Sequence, residues 1–205
     1  MTAVTPTLSG LAFLPGREVK GRCEALYVET EPYPETRQVE ELVLDLQGIP
    51  GTRHYGFTRK AGPREPWYRR GMEMRSGRQI TIVSCEEIAA IAAAMQIDAL
   101  APEWIGANVV TSGIANLSIL PSGTRVVFAE ATLVVEAQNA PCRIAGKAIA
   151  QHLTPDAPPG GLDLTFPKMA KGLRGVVASV ERAGTIRAGE IVTVKVSPQT
   201  LWQSA

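Results

Sequence analysis

The sequence predicts a mainly β protein, a closed β-barrel carrying a few short helices. About eight or nine short apolar, β-branched runs stand against two clear helical patterns. Nineteen glycines and 15 prolines punctuate those runs as turns. So many strands in 205 residues favour closure, because a barrel leaves no open sheet edge. Residues 1–20 read as an N-terminal arm, able to dock Leu11, Phe13 and Leu14 on the body, and residues 21–205 as one domain.

From Gly21, Cys23 to Val28 reads as a strand, and Val39 to Leu46 as another, with Pro32 and Pro34 in the loop between them. Gly48 to Gly56 then breaks the chain and places Arg53 and His54 on a turn. A basic stretch follows, with Arg59, Lys60, Arg64, Arg69, Arg70, Arg75 and Arg78 against Glu65 and Glu73, and with Trp67 and Tyr68 among them. Three readings compete: a solvated loop, a nucleic-acid surface, and a lid over a small phosphorylated ligand. A net charge of +1 and the lack of a nucleic-acid motif disfavour the second.

Gln79 to Val83 is a short strand, and Ser84 with Glu87 forms a capping box for a helix whose apolar face holds Ile88, Ile91, Ala92 and Met95. Pro102 to Gly106 reads as a turn or short helix. Asn108 to Thr111 then reads as a further strand ending at Gly113, and Asn108 is a polar binding group if it points inward. Leu117 to Leu120, Thr124 to Phe128 and Thr132 to Glu136 read as strands delivering the chain to Asn139-Ala140-Pro141-Cys142-Arg143. Pro141 suits the first helical position, with Asn139 or Ala140 as cap, so Cys142 is expected in the first turn of a helix. There the free N–H groups, the dipole, Arg143 and Lys147 favour a thiolate. The bland alternative is a cysteine that only packs. Thr154 to Gly161 is a Pro/Gly-rich loop, and Val176 to Val180 and Ile191 to Val196 close the chain as strands joined through 182–189.

Cys23, Cys85 and Cys142 are odd in number and widely spaced, which argues against a disulfide framework or structural zinc and fits a reducing cytoplasm. Cys85 also opens a helix, but beside Glu86 and Glu87, which oppose a thiolate. No run reaches the ~18 apolar residues of a membrane span, and no signal-peptide pattern opens the chain.

Several stretches together resemble the MOSC domain, named for the C-terminal domain of molybdenum-cofactor sulfurase, and especially its small stand-alone bacterial members. They run from about Leu42 to Val196 and comprise Gly51-Thr52-Arg53-His54, Arg78 to Val83 with the Glu87 helix, Gly106-Ala107-Asn108, Pro141-Cys142, Gly172-Leu173-Arg174-Gly175-Val176 and Gly189 to Val192. The resemblance implies a MOSC, pyruvate kinase barrel-like fold and a cysteine, here Cys142, that binds molybdenum or carries sulfur. On that footing Cys142 is the expected catalytic residue and metal ligand. Arg53, His54, Arg78, Asn108, Asn139, Arg143 and Lys147 are the expected contacts to a molybdenum-pterin cofactor. Thr52 and Ala107 stand where many relatives have Asp and Glu. The chain shows no iron–sulfur cysteine cluster and no fused aminotransferase, so a separate electron donor or sulfur donor protein is implied beside a small-molecule substrate, with no nucleic acid and no membrane. Three functions follow: a molybdenum enzyme reducing N-hydroxylated substrates, a sulfur carrier using a Cys142 persulfide, and a non-catalytic binding module.

Overall fold

The computed structural model describes residues 13–154 and 161–200. The arm's residues 1–12 and positions 155–160 of the Pro/Gly-rich loop lie outside the described residues. Strand β1 (Phe13–Leu14) leads into the long β2 (Arg17–Glu29), followed by β3 (Thr36–Val39) and β4 (Glu41–Leu44). A hairpin of β5 (Thr58–Lys60) and β6 (Glu73–Arg75) precedes β7 (Ile80–Ser84), helix α1 (Cys85–Met95) and β8 (Val109–Ser112). Then come β9 (Arg125–Val127), β10 (Thr132–Gln138), α2 (Arg143–Leu153), α3 (Leu162–Met169), β11 (Val176–Arg182), β12 (Gly184–Arg187), β13 (Ile191–Val196) and β14 (Gln199–Thr200).

Seven strands close the barrel in the order β2-β13-β9-β10-β11-β7-β8 and back to β2. An odd ring cannot be antiparallel throughout, since the strand direction would fail to match on returning to the start. The single parallel pair is β7–β8, and parallel neighbours need a crossover. Helix α1 and the 3-10 turn Pro102–Ile105 supply it. Ser84 caps α1 as the sequence predicts, its hydroxyl accepting the Glu87 N–H.

Side-chain alternation assigns the two faces of the wall. Leu26, Ile80, Ile82 and Val109 point into the barrel, whereas Tyr27, Val83 and Val110 point outward and pack with Ile91, Ile149 and Phe166 of the helices. The candidate site lies on this outer face.

Several sequence expectations change. Arg17–Lys20, assigned to the arm, pair with β13 as barrel wall. Val39 to Leu46 is two strands, because β3 pairs with β2 and β4 turns away to β12. That pairing also makes a strand of Gly184–Arg187, read as a connection. Leu117–Ile119 is a 3-10 turn rather than a strand, since Leu117 and Ser118 turn into the interior after Asn116 adopts φ 56°. Helix α3, with Pro167 inside it, was not expected. Tertiary packing holds it, with Phe166 fully buried and α2 so close that a Cβ on Gly146 would collide with the Asp163 carbonyl.

Candidate functional site

Between the outer face of β7, the start of α2 and the β5–β6 hairpin lies a cavity of about 390 Å³ lined by Cys142, Asn139, Arg174, Arg78, Arg64, Arg59 and His54, among others. Cys142 is the N-cap of α2, in extended conformation (φ −133°, ψ 159°), one position before the first turn where the sequence placed it. Its carbonyl accepts the Gly146 N–H and its side chain makes no capping bond, so the sulfur is left to the cavity. Pro141 therefore precedes the cap, and Asn139 is no cap at all. The buried Asn139 donates its N–H to the Gly175 carbonyl and accepts from Arg78 Nη2 at 2.9 Å.

The positive charge around Cys142 is not the charge expected. Arg143 turns to Asp163 on α3 at 2.9 Å, and the exposed Lys147 does not line the cavity. Arg174 takes their place. It is 6% exposed, donates Nη2 to the Ile105 carbonyl and leaves Nη1 without a partner. Its pKa is pushed down to about 10, by burial first; the Cys142 sulfur opposes this by attraction, while Arg78 and Arg64 add to it by repulsion. Arg78 is likewise pushed down to about 10 by burial, then by Arg64 and Arg59. The turn that delivers Arg174 requires glycine at 175, where φ is 83° and a Cβ would strike the Ile82 carbonyl oxygen.

Four buried side-chain polar atoms lack a partner among the described residues, and three of them, Arg174 Nη1, Arg59 Nε and Thr36 Oγ1, belong to residues lining this cavity. Orphaned buried donors are rare in native proteins, and their concentration here points to an absent polar partner. Arg59 is held by a bidentate pair with the buried Glu65. Arg64 donates to the Ala140 carbonyl and so ties the hairpin to the cysteine turn. The rest of the basic stretch faces elsewhere: Arg75 pairs with Glu136, while Arg69 and Arg70 are exposed away from the lining.

The remaining expectations divide. Arg53 leaves the cavity, bonding Glu29 through its N–H and Nε and lying 4.5 Å over the Tyr33 ring. Asn108 lines the cavity, but its amide bridges the wall, accepting the Thr81 N–H and donating to the Tyr27 carbonyl. It is a structural clamp more than a binding group. Thr52 bonds the Ile49 carbonyl, and Ala107 is fully buried; neither lines the cavity. Cys23 sits in the barrel core with its thiol pushed up to about 12 by burial, then by Glu190 and Glu24. Burial, Glu24 and Glu86 also raise Cys85. Sequence reasoning passed over Arg174, Thr36 and Glu65 as site residues. For Arg174 the available signal was an arginine between two glycines, a turn that holds a side chain at a set angle.

His54 stays in the lining with its surface exposed, and its pKa is held below the ordinary value by desolvation first, an effect that this exposure limits, with Arg78, Arg53 and Arg59 adding to it and Glu29 opposing it. The unfolded chain protonates this group near ~6.5 and the folded chain lower. Its contribution to stability is therefore present above ~6.5 and is lost as pH falls through the folded value. An anion in the cavity favours the imidazolium, so sulfate, ionised throughout, is expected to bind more tightly at about pH 5.5 than at about pH 7.5. Calorimetric titration of His54→Gln should show that part of the dependence gone.

No group of three His, Cys, Asp or Glu suited to a metal ion occurs among the described residues. A metal that arrives already held by its own sulfur ligands needs one soft donor and an anion cradle. Cys142 and the arginines fit that requirement. No helix among the described residues is long and apolar enough to cross a membrane.

Comparison with known proteins shows the family and the fold. YuaD of Bacillus subtilis (strain 168), whose description proposes a role in metal-sulfur cluster biosynthesis, is 41% identical over 179 residues, covering 87% of this chain and 92% of YuaD. The crystal structure of the Bacillus subtilis YuaD protein matches with a TM-score of 0.82 at 40% identity, over 88% of this chain and 98% of that one. YiiM from Escherichia coli shares the fold at a TM-score of 0.54 and 17% identity, over 91% and 71%. The family model described as the MOSC domain matches residues 50–193, a span that holds Cys142, Asn139, Arg78 and the Arg174 turn; on that match and the identity to YuaD, the chain belongs to the MOSC domain family.

Proposed function

We propose that this protein binds a phosphate-bearing molybdenum-pterin cofactor in the Cys142 cavity and reduces N-hydroxylated substrates there, with electrons from a separate donor protein in the cytoplasm. One observation carries the reading: Arg174, whose buried Nη1 has no partner, lines the same cavity as Cys142. Arg174, Arg78 and Arg64 would hold the anionic end by charge-assisted hydrogen bonds, and Cys142 would supply the soft protein ligand. The cofactor supplies the redox chemistry when bound. The reduction itself is carried over from the family resemblance.

A second reading, sulfur carriage on a Cys142 persulfide, is favoured by the description of YuaD. Both use the same thiolate, and one purification separates them. Protein from a host that makes the cofactor should contain molybdenum in near-stoichiometric amount by elemental analysis. Peptide mass spectrometry that instead finds an added sulfur on Cys142, with no metal, establishes the carrier.

A further inference from the structure

Glu87 is a buried carboxylate for which the proposed function has no use. It lies in the first turn of α1, 7% exposed, and both its oxygens face Ser118. Oε1 accepts the Ser118 N–H at 3.0 Å and Oε2 accepts the Ser118 hydroxyl at 2.7 Å. That hydroxyl therefore has its proton committed to Glu87, and its lone pair accepts the Gly175 N–H at 2.6 Å. On the other side of Gly175 its carbonyl accepts the Asn139 N–H, and Asn139 in turn holds Arg78. One residue, in a backbone conformation open only to glycine, is thus gripped from both sides. Next to it stands Arg174, whose guanidinium has one carbonyl partner and one free edge.

We propose that Glu87 is a positioning residue for anion binding: acting through Ser118, it fixes the Arg174–Gly175 turn and so aims the free edge of Arg174 into the Cys142 cavity. The inference rests on reading that cavity as an anion site. A serine hydroxyl rotates freely unless its proton has a fixed acceptor, and a carboxylate, acceptor only, is the group that fixes it. Glutamine in its place sets an NH2 against one of the two Ser118 donors, so the hydroxyl loses its orientation and Gly175 its acceptor. The Arg174–Gly175 turn is then no longer held from the Ser118 side, and the unpartnered Nη1 edge loses its fixed direction.

Inorganic phosphate serves as probe, titrated by calorimetry into wild type, Glu87→Gln, Ser118→Ala and each of these combined with Arg174→Met. In the Arg174 background each variant is expected to weaken phosphate binding about tenfold, and in the Arg174→Met background by less than about twofold. A merely structural role lowers the melting temperature in both backgrounds and leaves the affinity losses additive. Additive losses, or unchanged affinity in Glu87→Gln, overturn the proposal. Failure of wild type to bind phosphate, or binding that ignores Arg174→Met, overturns the anion-site reading beneath it. Should Ser118→Ala not fold, the Glu87→Gln pair alone decides, since it keeps side-chain size and the α1 cap.

Discussion

Cys142→Ser is expected to leave the fold intact and reduce bound molybdenum at least about tenfold, with reductase activity falling alongside. The two effects separate because of where the residue sits. Cys142 is the N-cap of α2 and makes no capping bond, whereas serine is among the preferred N-caps and contributes up to ~1 kcal/mol by accepting an orphan N–H of the first turn. In a chain of this size that corresponds to an unchanged melting temperature or a rise of about 2–4 °C. The hydroxyl, by contrast, stays protonated at neutral pH and is a hard, poor ligand for a metal already held by sulfur. Elemental analysis and thermal melts of the two proteins, purified side by side, read both effects. Loss of folding would make Cys142 a packing residue, and retained metal and activity would remove it from the chemistry.

The barrel and the cysteine turn were legible in the sequence because both are written locally. Alternation in Gln79 to Val83 and Thr132 to Glu136 needs only neighbouring residues to be read, and the capping box runs only from Ser84 to Glu87. Long-range pairing defeated the same method elsewhere. Arg53, Arg59 and Arg75 look equivalent in the sequence, yet Glu29, Glu65 and Glu136 hold them in three different places, and no local pattern announces those partners. Arg143 failed for a geometric reason: Cys142 is still extended while Arg143 is the first helical residue, and from there its guanidinium meets Asp163 on α3 instead of the cavity. Helix α3 was hidden by Pro167, whose local penalty is outweighed by packing on α2. Arg174 is the instructive case. Its value comes from burial and placement: Ile105 takes its Nη2, and Ile82 and Ser118 crowd and hold the adjoining Gly175, all residues far away in the chain.

That burial makes Arg174 the second decisive position, because a buried cation with an unpartnered edge costs stability that only a ligand recovers. Burial and two neighbouring arginines push its pKa down to about 10, and one unit corresponds to roughly 1.4 kcal/mol of unfavourable environment for the charge. Arg174→Met keeps the length of the side chain and removes the charge. It strands the Ile105 carbonyl, a loss of about 1–3 kcal/mol, against a gain of similar size from no longer burying the guanidinium. The melting temperature is therefore expected to hold or rise. Anion binding is expected to fall, because a hydrogen bond to a charged group contributes about 1.5–3 kcal/mol, which is about 10- to 150-fold in phosphate affinity. Arg174→Lys should sit between the two, keeping the charge without the planar fork. A structural arginine behaves the other way, its loss lowering stability while phosphate affinity stays put. Calorimetric titration and thermal melts of the same three proteins therefore place Arg174 in the binding site or in the scaffold.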